Sequence, residues 1–388
     1  MEIFDKKSIV SKRIKEARIA RGMSMQELAN RINVTRQAVS QFELGVIVPK
    51  PEVFTEISKV LNFPKVFFTF NRELKNNDSK GAIFFRSLKS ATRTAREMMK
   101  CRIEWAESSI DYLQEFINFP QANLQELLKI DETTITDEDK IEEIANNLRQ
   151  YWSLGYGPIN NLTNILEKRG FVITFINHEN DKIDSFSQLR NGKYFILLNR
   201  HKSSAVRLRF DLAHELGHLL LHNYIDEEEL NDKSILNKIE KEAHSFAGAF
   251  LFPRDSAIAD INSTSFNHLI ALKEKWKISI AAIVLRAGEL GIFTENQVLS
   301  LNKQISYNKM RQKEPLDDEL KIEEPLALRQ AINLIINNNI KTVYGILTDL
   351  PYGSEELESL FNLEKDTLAI SDNVIDLSLK RDSIIKAI

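Results

Sequence analysis

The residues whose types and spacing could do chemistry begin with His214, Glu215 and His218, in the run RFDLAHELGHLLLH at 209–222. On a helix, positions four apart differ by about 40° of rotation, so both imidazoles can reach one tetrahedral ion. The glutamate between them sits beside that ion, where a carboxylate can take a proton from bound water. This is hydrolytic chemistry. In a chain with only seven histidines, such a pattern arises by accident on the order of once in a hundred. A catalytic zinc also needs a third protein ligand and an open position. Four histidines, His214, His218, His222 and His244, fall close together, and the run IEKEAHSFAGAFLFP at 239–253 offers a second helix with an apolar face. On that helix His244 follows Glu240 by four residues and shares its face, whereas Glu242 lies about 200° round from Glu240. His244 can partner a ligand, stabilise an oxyanion or simply pack; His222, four residues after His218, is expected to pack rather than ligate.

A second constellation is SMQELANRINVTRQAVSQFELG at 24–45. A short helix at 24–31, a tight turn through Asn33 and Val34, and a second helix from Thr35 form a helix-turn-helix pattern. Thr35 is placed to cap the second helix. Ala38, Val39 and Phe42 turn inward, leaving Arg36, Gln37, Ser40 and Gln41 facing out. Arginine suits guanine O6/N7 and glutamine suits adenine N6/N7 in the major groove, so these side chains favour base reading over a bundle used only for protein contacts.

The chain that must position these groups has 388 residues, enough for two or three domains. Its 43% hydrophobic and 28% charged residues are those of a folded chain. Cys101 is the single cysteine, which excludes an internal disulfide and leaves any metal to histidine and carboxylate. No apolar run approaches the roughly 18 residues of a membrane span, and the opening MEIFDKKSIV has no signal-peptide core, so a cytoplasmic protein without a membrane partner is expected. The net charge of −3 conceals an asymmetry: residues 1–105 carry 21 Lys+Arg against 11 Asp+Glu, a net of +10, and the remainder carries −13. A basic module joined to an acidic one fits a nucleic-acid partner for the first. Apolar periodicity predicts about five short helices over 9–62, a polar linker at 71–82 and a long helix at 92–116. A helix at 138–152 follows, capped by Thr136 or Asp137. Strands are predicted at 171–176 and 194–198, helices at 203–222, 234–251 and 265–290, and a helical stretch at 322–388.

Residues 11–68 resemble the XRE helix-turn-helix domains, with Arg18, Gly22, Leu28, Ala29, Gln37, Glu43, Gly45 and Pro51 at that pattern's positions. The resemblance implies that the helix from Thr35 enters the major groove of a double-stranded DNA operator, usually as a homodimer. That family places Gln first in the preceding helix, to reach a phosphate; this chain has Met25 there and Gln26 next. Residues around the histidine motif resemble the ImmA/IrrE metallopeptidases: Arg207, Arg209 and Phe210 before the motif, the His-Glu-Leu-Gly-His core, then a Glu-x-Glu-Ala-x-x-Phe-Ala helix ending at Pro253. That family commonly has Asn at the position of His244. The resemblance implies that Glu240 is the third ligand beside His214 and His218, with Glu215 as catalytic base and Zn²⁺ as the metal, Mn²⁺ also suiting such a site. The implied substrate is a helix-turn-helix repressor, or the chain itself, cut to derepress stress, prophage or mobile-element genes.

The expected architecture is multidomain. It comprises an all-α helix-turn-helix domain at 1–70, a linker and connecting helix at 71–130, an α+β zincin-like metallopeptidase domain at 131–310 and a helical C-terminal region at 311–388. Two other functions fit the same motifs: a regulator whose peptidase-like domain senses a ligand or partner without turnover, and an antitoxin-like or phage-defence component.

Overall fold

The computed structural model describes residues 11–70, 84–85, 93–122, 124, 137–176, 185–201, 204–222, 225 and 229–369. The linker expected at 71–82, Thr136 and the stretch beyond 369 lie outside them. The basic module is built from α1 (Ser11–Ala20), α2 (Met25–Arg31), α3 (Arg36–Glu43) and α4 (Pro51–Leu61), followed by a 3₁₀ turn at Lys65–Thr69. Breaks fall where the backbone turns left-handed, at Gly22 and Asn33. Ser24 starts α2 in a reciprocal capping box with Glu27, and Thr35 starts α3 by accepting from the Ala38 N–H at 3.1 Å. The apolar stripe read from the sequence forms the core, with Ile14, Ala17, Leu28, Ala29, Val39, Ile57 and Leu61 fully buried.

Next come the two-residue strand β1 (Phe84–Phe85), α5 (Arg93–Leu113), α6 (Glu138–Tyr151) and α7 (Leu162–Lys168). Asp137 is the observed cap of α6. Strands β2 (Phe171–Ile176), β3 (Ser185–Arg190) and β4 (Lys193–Asn199) complete a sheet of order β1-β3-β4-β2, in which β2 and β4 run parallel and the other pairs antiparallel. Strand β3 was not read from the sequence. Its hairpin to β4 turns through Asn191 and Gly192, both at positive φ, which is the backbone demanded by a two-residue turn that matches strand twist.

Strands β2 and β4 are buried on both faces, as their nearly continuous apolar sequences require. Tyr194, Ile196 and Leu198 face one core with α6–α8 and the helices beyond. Phe195, Leu197 and Phe186 face a second core shared with α5 and the helix-turn-helix module. The helices after the sheet are α8 (Ala205–Leu221), α9 (Lys233–Leu251), α10 (Arg254–Asp260), α11 (Phe266–Trp276), α12 (Ile280–Glu289) and α13 (Glu295–Tyr307). The helix expected over 265–290 is two helices, because Lys277 closes α11 in a left-handed conformation and Ser279 caps α12. Glu314 and Asp317 hold the fully buried Lys273 ammonium at 2.9 and 2.6 Å, fastening the chain after α13 to α11.

The last helices, α14 (Ala327–Asn337), α15 (Val343–Asp349) and α16 (Ser354–Leu360), form a bracket between the two modules. Glu356 on α16 binds Arg21 of the α1–α2 turn and Arg102 of α5, and Thr174 of β2 donates to the Leu360 carbonyl at 2.5 Å. Tyr352 stacks on Trp105 of α5 with centroids 5.1 Å apart, and Trp105 meets Phe63 edge-on at 5.7 Å. The helix-turn-helix module is thereby packed onto the rest of the chain rather than merely tethered to it.

Candidate metal centre and nucleic-acid interface

Helix α8 is apolar around most of its circumference and nearly every residue from Val206 to Leu221 is buried, so it runs through the interior between the sheet and α9. The two helices approach closely at Gly217: a Cβ there would lie 3.0 Å from the Phe246 ring and 3.3 Å from the Ala243 backbone. That approach brings Glu240 of α9 to the histidines of α8. His214 Nε2 and His218 Nε2 are 3.1 Å apart, and Glu240 oxygens lie 3.4 Å from the first and 3.6 Å from the second. Donors arranged tetrahedrally around zinc at its usual bond lengths stand about 3.3 Å from one another. The three donors thus already have the spacing a zinc ion requires, and two imidazoles with one carboxylate are a ligand set that zinc accepts. Glu240 also has the charge for it. Burial raises its carboxyl, but the neighbouring His214 and His218 outweigh burial and hold it down at about 2.

Glu215 lies on the sheet side of α8 and is fully buried. Each of its carboxylate oxygens accepts a hydroxyl from β3: Ser185 at 2.7 Å and Ser187 at 2.6 Å. Burial pushes this carboxyl up to about 7, against the pull of His218 and the two serine hydroxyls. A carboxyl in that range can both accept and return a proton near neutrality. Ser185 and Ser187 were not anticipated from the sequence. The available signal was the Asn-Gly turn at 191–192, since a hairpin there puts a strand of alternating character before it, with both serines on the face opposite Phe186.

Glu242 turns away from the His214–His218–Glu240 group, as its position on α9 requires. It instead meets His222 Nε2 at 3.0 Å, while His222 Nδ1 lies 3.0 Å from His218 Nδ1. His222 is fully buried, and burial holds its imidazole well below the ordinary range, in the neutral form. His244 is half-buried, packed on the Phe210 ring at 4.8 Å and 6.3 Å from the His214 ring. Arg209 is buried, donating to the Ile159 carbonyl at 2.5 Å and pairing with Glu323, so it braces α8; Arg207 is exposed.

On the basic module, Thr35, Arg36 and Gln37 are exposed at the start of α3, and Ser40 and Gln41 are half-buried one turn on. Gln26 is exposed on α2 and donates to Asn30 at 2.8 Å. Helix α3 is fixed to α1 by a buried fork: Arg18 Nε and Nη2 bind the two oxygens of Glu43 at 2.6 and 2.9 Å, and Arg18 Nη1 binds the Met23 carbonyl at 2.7 Å.

A compact helix-turn-helix joined to an α+β domain with a buried His-Glu-x-x-His helix defines a DNA-binding protein carrying a peptidase-like domain. Residues 14–68 match the helix-turn-helix family model, and residues 166–287 match the peptidase M78 model, described as the IrrE N-terminal-like domain. The chain therefore carries an XRE-type helix-turn-helix region and an ImmA/IrrE-like region in one polypeptide. No curated protein matches it. Among the described residues no helix is long and apolar enough to cross a membrane.

Proposed function

We propose that this chain is a cytoplasmic transcriptional regulator whose ImmA/IrrE-like domain is a zinc-dependent endopeptidase. Its substrate would be a helix-turn-helix repressor or the chain itself, cut to relieve repression of stress, prophage or mobile-element genes. The observation that carries the reading is the spacing of His214, His218 and the half-buried Glu240, whose donor atoms lie within 4.8 Å of one another, with Glu215 the residue after His214 on α8. When bound, zinc supplies the Lewis acidity that activates water and polarises a carbonyl; Mn²⁺ would serve the same ligands. Glu215 takes the proton from the attacking water and passes it to the leaving amine nitrogen. Ser185 and Ser187 hold its carboxylate in one orientation. His244, packed on Phe210 with its ring 6.3 Å from that of His214, would offer a ring N–H to the oxyanion that develops. On the other module, Arg36 and Gln37 read base edges, Thr35, Ser40, Gln41 and Gln26 line the same interface, and a homodimer spans half-sites about one DNA turn apart.

The test compares wild type with Glu215→Gln, zinc-loaded, on repressors of this class and on the chain's own integrity. Cleavage by wild type alone supports the reading; identical fragment patterns from both sink it. A second reading, a sensor that regulates without turnover, is favoured by one observation: Glu215 has no exposed surface and both its oxygens already accept hydroxyls. Under it, Glu215→Gln leaves gene regulation intact, whereas Arg36→Ala with Gln37→Ala abolishes it.

A further inference from the structure

We propose that His222 and Glu242 form a buried relay that fixes the orientation and tautomer of the metal-binding His218, making them positioning residues of the metal centre. This rests on the metal-site reading above. His218 turns Nε2 toward His214 and Glu240, and its other nitrogen, Nδ1, lies 3.0 Å from His222 Nδ1. A neutral imidazole that gives Nε2 to a metal carries its proton on Nδ1. His218 Nδ1–H therefore donates, and His222 Nδ1 must be bare to accept. That leaves the His222 proton on Nε2, which lies 3.0 Å from Glu242 Oε2 and donates to it. One assignment of protons satisfies every nitrogen along the chain His218–His222–Glu242. Its ends are a metal ligand and a carboxylate, the arrangement that elsewhere orients a ligating imidazole and increases its basicity.

The sequence supplies the relay by helical spacing. His218 and His222 are four residues apart at the end of α8, so their rings lie along one face, with centroids 5.1 Å apart and planes tilted by 55°. Glu242 stands two residues from Glu240 on α9, far enough round the helix to reach His222 while Glu240 reaches the triangle. The Glu-x-Glu pair on α9 is thus divided between metal and relay. Burial sharpens the effect: His222 has no exposed surface and Glu242 little, so water does not substitute for either bond.

The test is zinc affinity, measured by competition with a chromophoric chelator, together with long-range proton–nitrogen spectra of histidine-labelled, zinc-loaded protein. His222→Leu and Glu242→Ala are expected to weaken zinc binding about 10- to 100-fold. His222→Asn, whose amide oxygen can accept where Nδ1 did, is expected to restore most of the loss. In the spectra of wild type, His222 should be protonated on Nε2 and bare on Nδ1. Melting of the zinc-free proteins separates lost affinity from lost folding. If wild type binds zinc tightly and both His222→Leu and His222→Asn bind it equally well, or His222 carries its proton on Nδ1, the relay is overturned. If wild type itself binds no zinc, the metal reading and the relay both fall.

Discussion

Replacing Glu43 by Leu tests whether helix α3 is held by charge. Arg18 and Glu43 are 9% and 2% exposed at their side chains, and the guanidinium makes two bonds to the carboxylate and one to the Met23 carbonyl. Glu43→Leu keeps the volume near constant but leaves the guanidinium buried with one neutral acceptor. Breaking such a pair from one side costs about 3–5 kcal/mol, because the desolvated charge is no longer compensated. Against a typical domain stability of about 5–15 kcal/mol this is a large fraction. Removing both charges, as Arg18→Met with Glu43→Leu, should recover most of that loss, since the remaining defect is only packing. Urea titration followed by tryptophan fluorescence reads it, Trp105 lying in the core that the module shares with α5 and α16. Because Glu43 is the last residue of α3, operator affinity should fall in the single variant and return in the double. A single variant within about 1 kcal/mol of wild type, or a double variant less stable than the single, would refute the reasoning.

Two further outcomes bear on the metal centre. Gly217→Val places its Cβ against the Phe246 ring and Ala243 backbone, so α8 and α9 must separate. We expect a loss of about 1–3 kcal/mol in stability and weaker zinc binding, checked by urea titration and chelator competition; unchanged zinc affinity would show that the close helix approach does not set the site. Zinc at about 100 times its dissociation constant should stabilise the wild type by about 2.7 kcal/mol in the same titration. That increment should vanish in Glu240→Ala, and its persistence there would remove Glu240 from the ligand set.

Much of the site was legible because its period is local. Two histidines four residues apart on an apolar helix, with a glutamate between them, are a statement about one turn of backbone, and the structure keeps them on one face of α8. The same holds for Thr35 as a cap and for Val39 and Phe42 facing inward on α3. By contrast Ser185 and Ser187 lie 30 and 28 residues before Glu215, on a strand whose short polar sequence hides its burial. The C-terminal helices were legible as helices, but not as the bracket that bonds Arg21 and Arg102 through Glu356.

What the sequence by itself determined is therefore the chemistry available: a helix that can offer two imidazoles and a carboxylate, and a helix that presents Arg36 and Gln37 to solvent. Helical geometry and side-chain type suffice for both. The family resemblance pointed to Glu240 rather than Glu242, but only the tertiary structure brings Glu240 to the histidines and shows which hydroxyls bond Glu215 and which ring meets His218. Those assignments depend on how closely α8, α9 and β3 pack at Gly217 and across the sheet, and a docking distance is a property of the assembled core rather than of any one segment's pattern.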